Sequence, residues 1–218
     1  MVRNLQVAVF SLLFLLSACT DYDNPDPQIE VTQKYQQKVL EDRATKDSSF
    51  AHPGTTPFEE VNRRAFEGLH YFPFRAGYVV AATFERTPNS SPFIMETTGP
   101  KQPRYVKYGV LRFQLHGEEE ELTVYQNLEL KDSEQYKNHL FIPFTDRTSG
   151  ETTYGGGRYL DLERPLEDTV RIDFNKAYNP FCVYNYTKYD CPIPPVENRL
   201  SLPIKAGEKD YTLVNEIQ

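Results

Sequence analysis

From residue 74 to residue 128, apolar and polar positions alternate with a period of two, as strands that bury one face require. Tyr78, Val80, Ala82 and Phe84 form one series, and Val106, Tyr108 and Val110 form a second. Leu111, Phe113 and Leu115 form a third, out of phase with the second. The slip at Val110-Leu111 predicts a bulge or a strand buried on both faces. Gly117 and the glutamates after it predict a turn, and Leu122, Val124 and Leu128 answer as its partner strand. The pair reads as a β-hairpin. The glutamates read as a solvated turn rather than a metal site. Further strands are expected at 139–144, 157–162, 168–174 and 200–205.

Earlier in the chain the spacing is helical. Residues 28–46 carry an incomplete apolar face of Ile29, Val31, Tyr35, Val39 and Leu40. A second helix has fuller signals. Thr56 can cap it, Pro57 suits its first position, and Glu59 completes a capping box. Phe58, Val61, Ala65 and Phe66 share one face, and Gly68 ends it. Sixteen prolines and 11 glycines imply many turns and few long helices. The expected fold is mainly β, a β-rich α+β domain. Its antiparallel sheet is barrel-like or folded on itself, with one or two amino-terminal helices. One domain is expected over residues 35–212, with a tail at 213–218, and no internal repeat is visible.

The amino terminus departs from this pattern. Arg3 precedes an apolar run from Val7 to Leu16, interrupted by Ser11. That run is shorter than the roughly 20 residues a bilayer span needs, and has the length of a signal-peptide core. It ends in Leu16-Ser17-Ala18-Cys19. This ending resembles the lipobox of bacterial lipoproteins, which implies that residues 1–18 are removed and that Cys19 carries lipid. Residues 19–34 then hold the lipidated cysteine and a flexible acidic tether, with Asp21, Asp23, Asp26, Pro25 and Pro27 resisting helix formation. Several acyl chains on one residue make such attachment effectively permanent. The membrane is the expected partner, reached through palmitate-type acyl chains. Thr20 rather than Asp follows Cys19, which favours the outer membrane of the cell envelope over the inner one.

Charge narrows the partners. The 218-residue chain has 24 basic and 31 acidic residues, a formal net charge of −7, and loss of Arg3 with residues 1–18 makes it more negative. Nucleic acid, which needs a basic surface, is not an expected partner, and anionic lipid is disfavoured. Protein partners are not specified. Two cysteines besides Cys19, Cys182 and Cys191, suit a disulfide in an exported protein. A metal pair is the rival reading, but His52, His70, His116 and His139 are scattered without ligand spacing. No metal or cofactor is expected.

The carboxy-terminal half is dense in polar and aromatic residues. It carries Phe144-x-Asp146-x-Thr148-x-Gly150-x-x-Thr153-Tyr154-x-x-Gly157-Arg158-Tyr159-Leu160 and Asp173-Phe174-Asn175-x-Ala177-Tyr178-Asn179-Pro180-x-Cys182. Cys191-Pro192-x-Pro194-Pro195-x-Glu197-Asn198-x-Leu200 and Ala206-Gly207-Glu208-Lys209 follow, and Phe66-x-Gly68-Leu69-x-Tyr71-Phe72 stands earlier. With these motifs the chain, from about residue 35 to 210, resembles the bacterial and archaeal domain-of-unknown-function family 1684. Phe181 stands where that pattern has a second proline. The resemblance implies a fold and a residue set, with no assigned reaction.

Read for chemistry, Asp146, Thr148, Thr153, Tyr154, Arg158, Tyr159, Asp173, Asn175, Tyr178, Asn179, Glu197 and Asn198 can build a polar pocket in an aromatic setting. The same residue types also fasten loops through Asx-turns and buried Arg–Asp pairs. If a strand carries Arg158, it points inward with Leu160 while Tyr159 and Asp161 face outward. An inward arginine needs acceptors, and Asp146, Asp173 and Glu197 are the candidates. A binding or accessory module for a small polar ligand or envelope glycan is the leading functional expectation. A hydrolase using carboxylates among Asp146, Asp161, Asp173 and Glu197 is the alternative, and a structural or assembly factor of the envelope is the third. A Ser–His–Asp triad is disfavoured because no histidine lies within the motifs. The triple glycine lacks the lysine and the strand–helix setting of a phosphate loop.

Overall fold

In a computed structural model, residues 29–214 are described. The expected signal peptide, Cys19 and the tether at 20–27 lie outside the described residues. Two helices precede seven strands: α1 Gln33–Ala51, α2 Glu60–Arg64, β1 Val79–Arg86, β2 Phe93–Ile94, β3 Arg104–Leu115, β4 Glu118–Asn127, β5 His139–Phe144, β6 Arg158–Glu163 and β7 Thr169–Asp173. The strands form one antiparallel sheet in the order β6-β5-β4-β3-β1-β7, with β2 beside β3. It curls into a half-barrel whose two edges are β6 and β7. Among the described residues no helix is long and apolar enough to cross a membrane.

The pleat sorts side chains between two faces. Val80, Leu111, Leu122, Ile142 and Leu160 point into the main core, while Tyr105, Tyr125, Phe141 and Tyr159 form a separate aromatic layer. Full burial of each large apolar side chain contributes roughly 1.5–3 kcal/mol, so the main core dominates stability. A third cluster joins Phe50 of α1 to Phe58, Leu69 and Tyr184.

Several elements differ from expectation for identifiable reasons. The hairpin turn is His116-Gly117, both at positive φ (54° and 80°), because Leu115 pairs directly with Glu118. The glutamates therefore lie in β4 rather than in the turn. The bulge sits at Tyr108, between Lys107 and Gly109, two residues before the expected slip. Gly109 explains its place: a Cβ there would come within 2.3 Å of the Phe84 ring and 2.6 Å of the Glu85 carbonyl, so only glycine lets β1 pack this closely.

The first helix starts later than predicted, where Thr32 Oγ1 accepts from Tyr35 N at 3.2 Å, and runs on to bury Phe50. The second helix is only five residues long. Pro57 and Phe58 stay outside it, because Asn185 bonds the Pro57 carbonyl and the Phe58 ring packs on Phe50 at 5.6 Å.

The expected strand at 200–205 does not form. Leu200, Leu202 and Ile204 do alternate into the main core. Their backbone instead crosses to the Thr145–Arg147 segment and the Asp146 carboxylate, and Pro203 offers no N–H for a ladder. Cys182 and Cys191 form a disulfide, with Cα atoms 5.9 Å apart.

Candidate functional site

Strand β6 sends alternate residues to two different environments. On the inner face Arg158 is fully buried. Gly157 precedes it at φ 90°, where a Cβ would lie 2.5 Å from the Phe144 carbonyl. One terminal nitrogen of Arg158 donates to Asp146 Oδ2 at 3.0 Å and Ile204 O at 2.8 Å. The other donates to Glu208 O at 3.1 Å and to Ala206 O. Burial pulls the guanidinium pKa below its ordinary value, and Asp146 acts in the opposite direction. Asp146 Oδ1 accepts from Thr148 N at 2.8 Å, Thr148 Oγ1 at 2.6 Å and Ile204 N at 3.0 Å. Thr148 and Thr153 share a hydroxyl contact at 2.9 Å. Tyr154 packs with the Phe50 cluster, and burial raises its pKa.

The inward reading of Arg158 and its pairing with Asp146 match the geometry. Asp173 and Glu197 are not its partners, because each sits in a different network. Asp173 accepts from Asn175 N and Nδ2, both at 2.8 Å, and from Tyr35 OH at 2.8 Å. Asn175 in turn clasps Arg75 N and O at 2.9 Å each. Glu197 accepts from Tyr125 OH at 3.0 Å and Lys107 Nζ at 2.7 Å. Asn198 donates to Thr123 O at 2.9 Å and Pro143 O at 2.8 Å and accepts from Thr123 N at 2.8 Å.

Asn179 N donates to Glu208 Oε2 at 2.8 Å, and its Nδ2 donates to Lys209 O at 2.7 Å. Glu208, itself buried, also accepts from Tyr184 OH at 2.7 Å and pairs with Lys46. These are bracing networks: each fastens a long loop to a strand or helix with charged or amide groups that burial would otherwise leave unmet. The dozen residues singled out from sequence do not converge on one pocket.

On the outer face of β6, Tyr159 lines an aromatic cleft of about 230 Å³, and Asp161 stands behind it, bonded to the lining residues His139 and Tyr178. Its walls are Tyr105, Phe141, Tyr159, Tyr178, Phe181 and Tyr189, with His139, Pro180, Asp190, Cys191 and Pro192 completing the lining. Phe141 and Tyr159 meet at 74° with centroids 4.7 Å apart, and Tyr159 and Tyr178 at 90° and 5.8 Å. Tyr178 is fixed by a two-way backbone bridge to Tyr159. The side chain of Asp161 is 44% exposed. Its Oδ1 lies 2.9 Å from His139 Nε2, and both of its oxygens accept from Tyr178 OH, at 3.0 and 2.9 Å. Burial, then Asp161, pushes the Tyr178 phenol well above its ordinary pKa. The disulfide holds the Cys191 wall to the loop that carries Phe181.

Tyr105, Phe141 and Tyr189 were not among the candidate site residues read from sequence, and His139 was considered there only as a metal ligand. The β5–β6 register, which sets Phe141 opposite Asp161, is the signal that would have found His139 and Phe141. A neighbouring groove of about 400 Å³ between the two sheet edges is lined by Asp161, Asp173, Arg171, Lys176, Tyr35 and Tyr178, among others. Among the described residues no three His, Cys, Asp or Glu side chains converge as a metal site.

A family model described as protein of unknown function, DUF1684, matches residues 64–209. The solution NMR structure of an uncharacterized protein of Haloarcula marismortui is similar, with 34% identity and a TM-score of 0.63; the match covers 81% of this chain and 94% of that one. No curated protein matches.

Proposed function

Since the chain belongs to the DUF1684 family of proteins of unknown function, we propose a role from its own geometry: a binding or accessory module for a small polar ligand or a single unit of envelope glycan. The aromatic cleft takes the ligand, and Asp161 is its polar anchor. The observation that carries this reading is a half-exposed carboxylate, held in one orientation by His139 and Tyr178, beside rings set at right angles. Elsewhere in the motif set the carboxylates are engaged in bracing. The cleft volume of about 230 Å³ falls below the roughly 300–1,000 Å³ of pockets for drug-sized ligands, so a head group or one sugar ring suits it better than an oligomer.

In this proposal the module is an exported lipoprotein of the cell envelope, anchored through Cys19, with the outer membrane as its site. The Leu16-Ser17-Ala18-Cys19 ending supports that, and so does the Cys182–Cys191 disulfide, which suits an oxidising compartment. Two measurements test the proposal. In a titration panel of small polar ligands and monosaccharides at least one should perturb the cleft tyrosines, and Asp161→Asn should abolish the response; a response that survives in the variant removes Asp161 as the anchor. Metabolic labelling with a fatty acid should mark the protein and fail to mark Cys19→Ala; label on that variant ends the anchor assignment.

A carboxylate-dependent hydrolase is the second reading, favoured by Asp161 and Asp173 lining one groove. It is weaker, because Asp173 is buried and tied to Asn175 and Tyr35, whereas Asp161 is nearly half exposed.

A further inference from the structure

We propose that the group recognised in the aromatic cleft is an organic cation, a primary or quaternary ammonium carried by a small molecule. This rests on reading the cleft as the binding site, and it names the ligand class.

Three features of the cleft converge on it. First, the polar edges of two principal rings are already used: Tyr159 OH donates to the Pro192 carbonyl and Tyr178 OH to Asp161. What these rings offer a ligand is their faces, whose quadrupole is negative. Rings steeply inclined to one another, Phe141 and Tyr159 at 74° and Tyr159 and Tyr178 at 90°, wall a compact cation on more than one side. Second, among the described residues no lysine or arginine lines the cleft. The carboxylates at it are Asp190, in the wall, and Asp161, bonded to two lining side chains. Third, the molecule already sets ammonium groups on these rings from outside the cleft. Lys46 Nζ stands 5.1 Å from the Tyr178 centroid and Lys188 Nζ 5.1 Å from that of Tyr189. Lys46 is itself balanced by Glu208.

A neutral polyol fits these features less well. It needs several convergent donors and acceptors, and the phenols of Tyr159 and Tyr178 are already engaged. A ligand anion would meet two carboxylates and no guanidinium or ammonium in the lining. A small ammonium group gains ring faces and a carboxylate at once, and the cavity has the size of a head group.

The 218-residue protein has 15 tyrosines and no tryptophan, and Tyr105, Tyr159, Tyr178 and Tyr189 line the cleft, so a change in tyrosine fluorescence that the cleft variants lose reports on the cleft. It is titrated with choline, ethanolamine, a short-chain phosphocholine lipid kept monomeric, N-acetylglucosamine and sodium chloride. Choline or ethanolamine should give a saturable change, while N-acetylglucosamine and sodium chloride give none. Asp161→Asn should weaken binding at least tenfold and Tyr189→Leu severalfold, with melting temperatures unchanged. Equal affinity for the phosphocholine lipid points to a lipid head group as the source; binding of the free amines alone points to a soluble amine.

Two results overturn the proposal while sparing the cleft. One is a response to N-acetylglucosamine, lost in Asp161→Asn, with none to either amine. The other is an amine affinity that Asp161→Asn leaves unchanged. Silence towards every ligand overturns both the cation and the cleft as a binding site.

Discussion

Arg158 and Asp161 stand three residues apart on one strand, yet they belong to different regimes. Arg158 lies in a fully buried network that closes on Asp146 and three backbone carbonyls. Asp161 is nearly half exposed and fixed only by side chains of the opposite face. A motif of polar residues can therefore hold two functions in alternation, one turned to stability and one to a surface. Breaking the inner network should unfold the protein; breaking the outer contact should change only what the surface recognises.

The largest effect is expected at Arg158. Arg158→Met leaves Asp146 as an uncompensated buried charge and strands the carbonyls of Ile204, Ala206 and Glu208, a loss of about 3–5 kcal/mol. Urea unfolding of the variant measures it, and an unchanged midpoint would mean that the network braces nothing. Next in size is the disulfide. Replacing Cys182 and Cys191 together by alanine should lower stability by about 3 kcal/mol from loop closure alone and should also loosen the Cys191 wall of the cleft, which ligand titration can separate from the stability loss.

Asn198→Ala removes three hydrogen bonds to Thr123 and Pro143 and should cost about 1–3 kcal/mol, read in the same unfolding assay. A smaller effect is expected at Glu197. Burial raises its pKa, but the hydrogen bonds from Lys107, its own backbone and Tyr125 outweigh burial and leave it below the ordinary carboxylate value. A depressed folded pKa contributes stability present above the unfolded pKa and lost as pH falls through the folded one. Lys107→Ala should thus flatten the acid limb of the stability–pH curve. The smallest change in stability belongs to Asp161→Asn, within about 0.5 kcal/mol as for other surface substitutions; a large drop would place Asp161 with Arg158 among the braces.

Much of the fold was legible because burial leaves a period in the sequence. The strand at 139–144 has the predicted bounds, and strand alternation alone put Arg158 inward beside Leu160. The same alternation misled at 200–205, where Leu200, Leu202 and Ile204 reach the core from a segment that makes no ladder. Periodicity reports which side chains are buried, and says nothing of where the backbone finds its partners. The brace at Asp146 and Arg158 was half visible, since a buried arginine demands a carboxylate without saying which one. The cleft was nearly invisible. His139 and Asp161 are 22 positions apart, and they meet only because β5 and β6 pair in one register. Tyr105 and Tyr189 arrive from still more distant segments.

The acceptors around Arg158 carry a consequence for the order of events during synthesis. Ile204, Ala206 and Glu208 are made after β1–β7, so a growing chain holds the whole sheet sequence before it holds the carbonyls that let Arg158 be buried. Until those residues emerge, closing the half-barrel would trap a guanidinium with only Asp146 to meet it. The segment at 204–208 thus sets the timing: full pairing of buried Arg158 waits until that segment has been made. For a chain that is to be threaded across a membrane, as its proposed export demands, a fold that waits for a segment made after its last strand stays translocatable for longer.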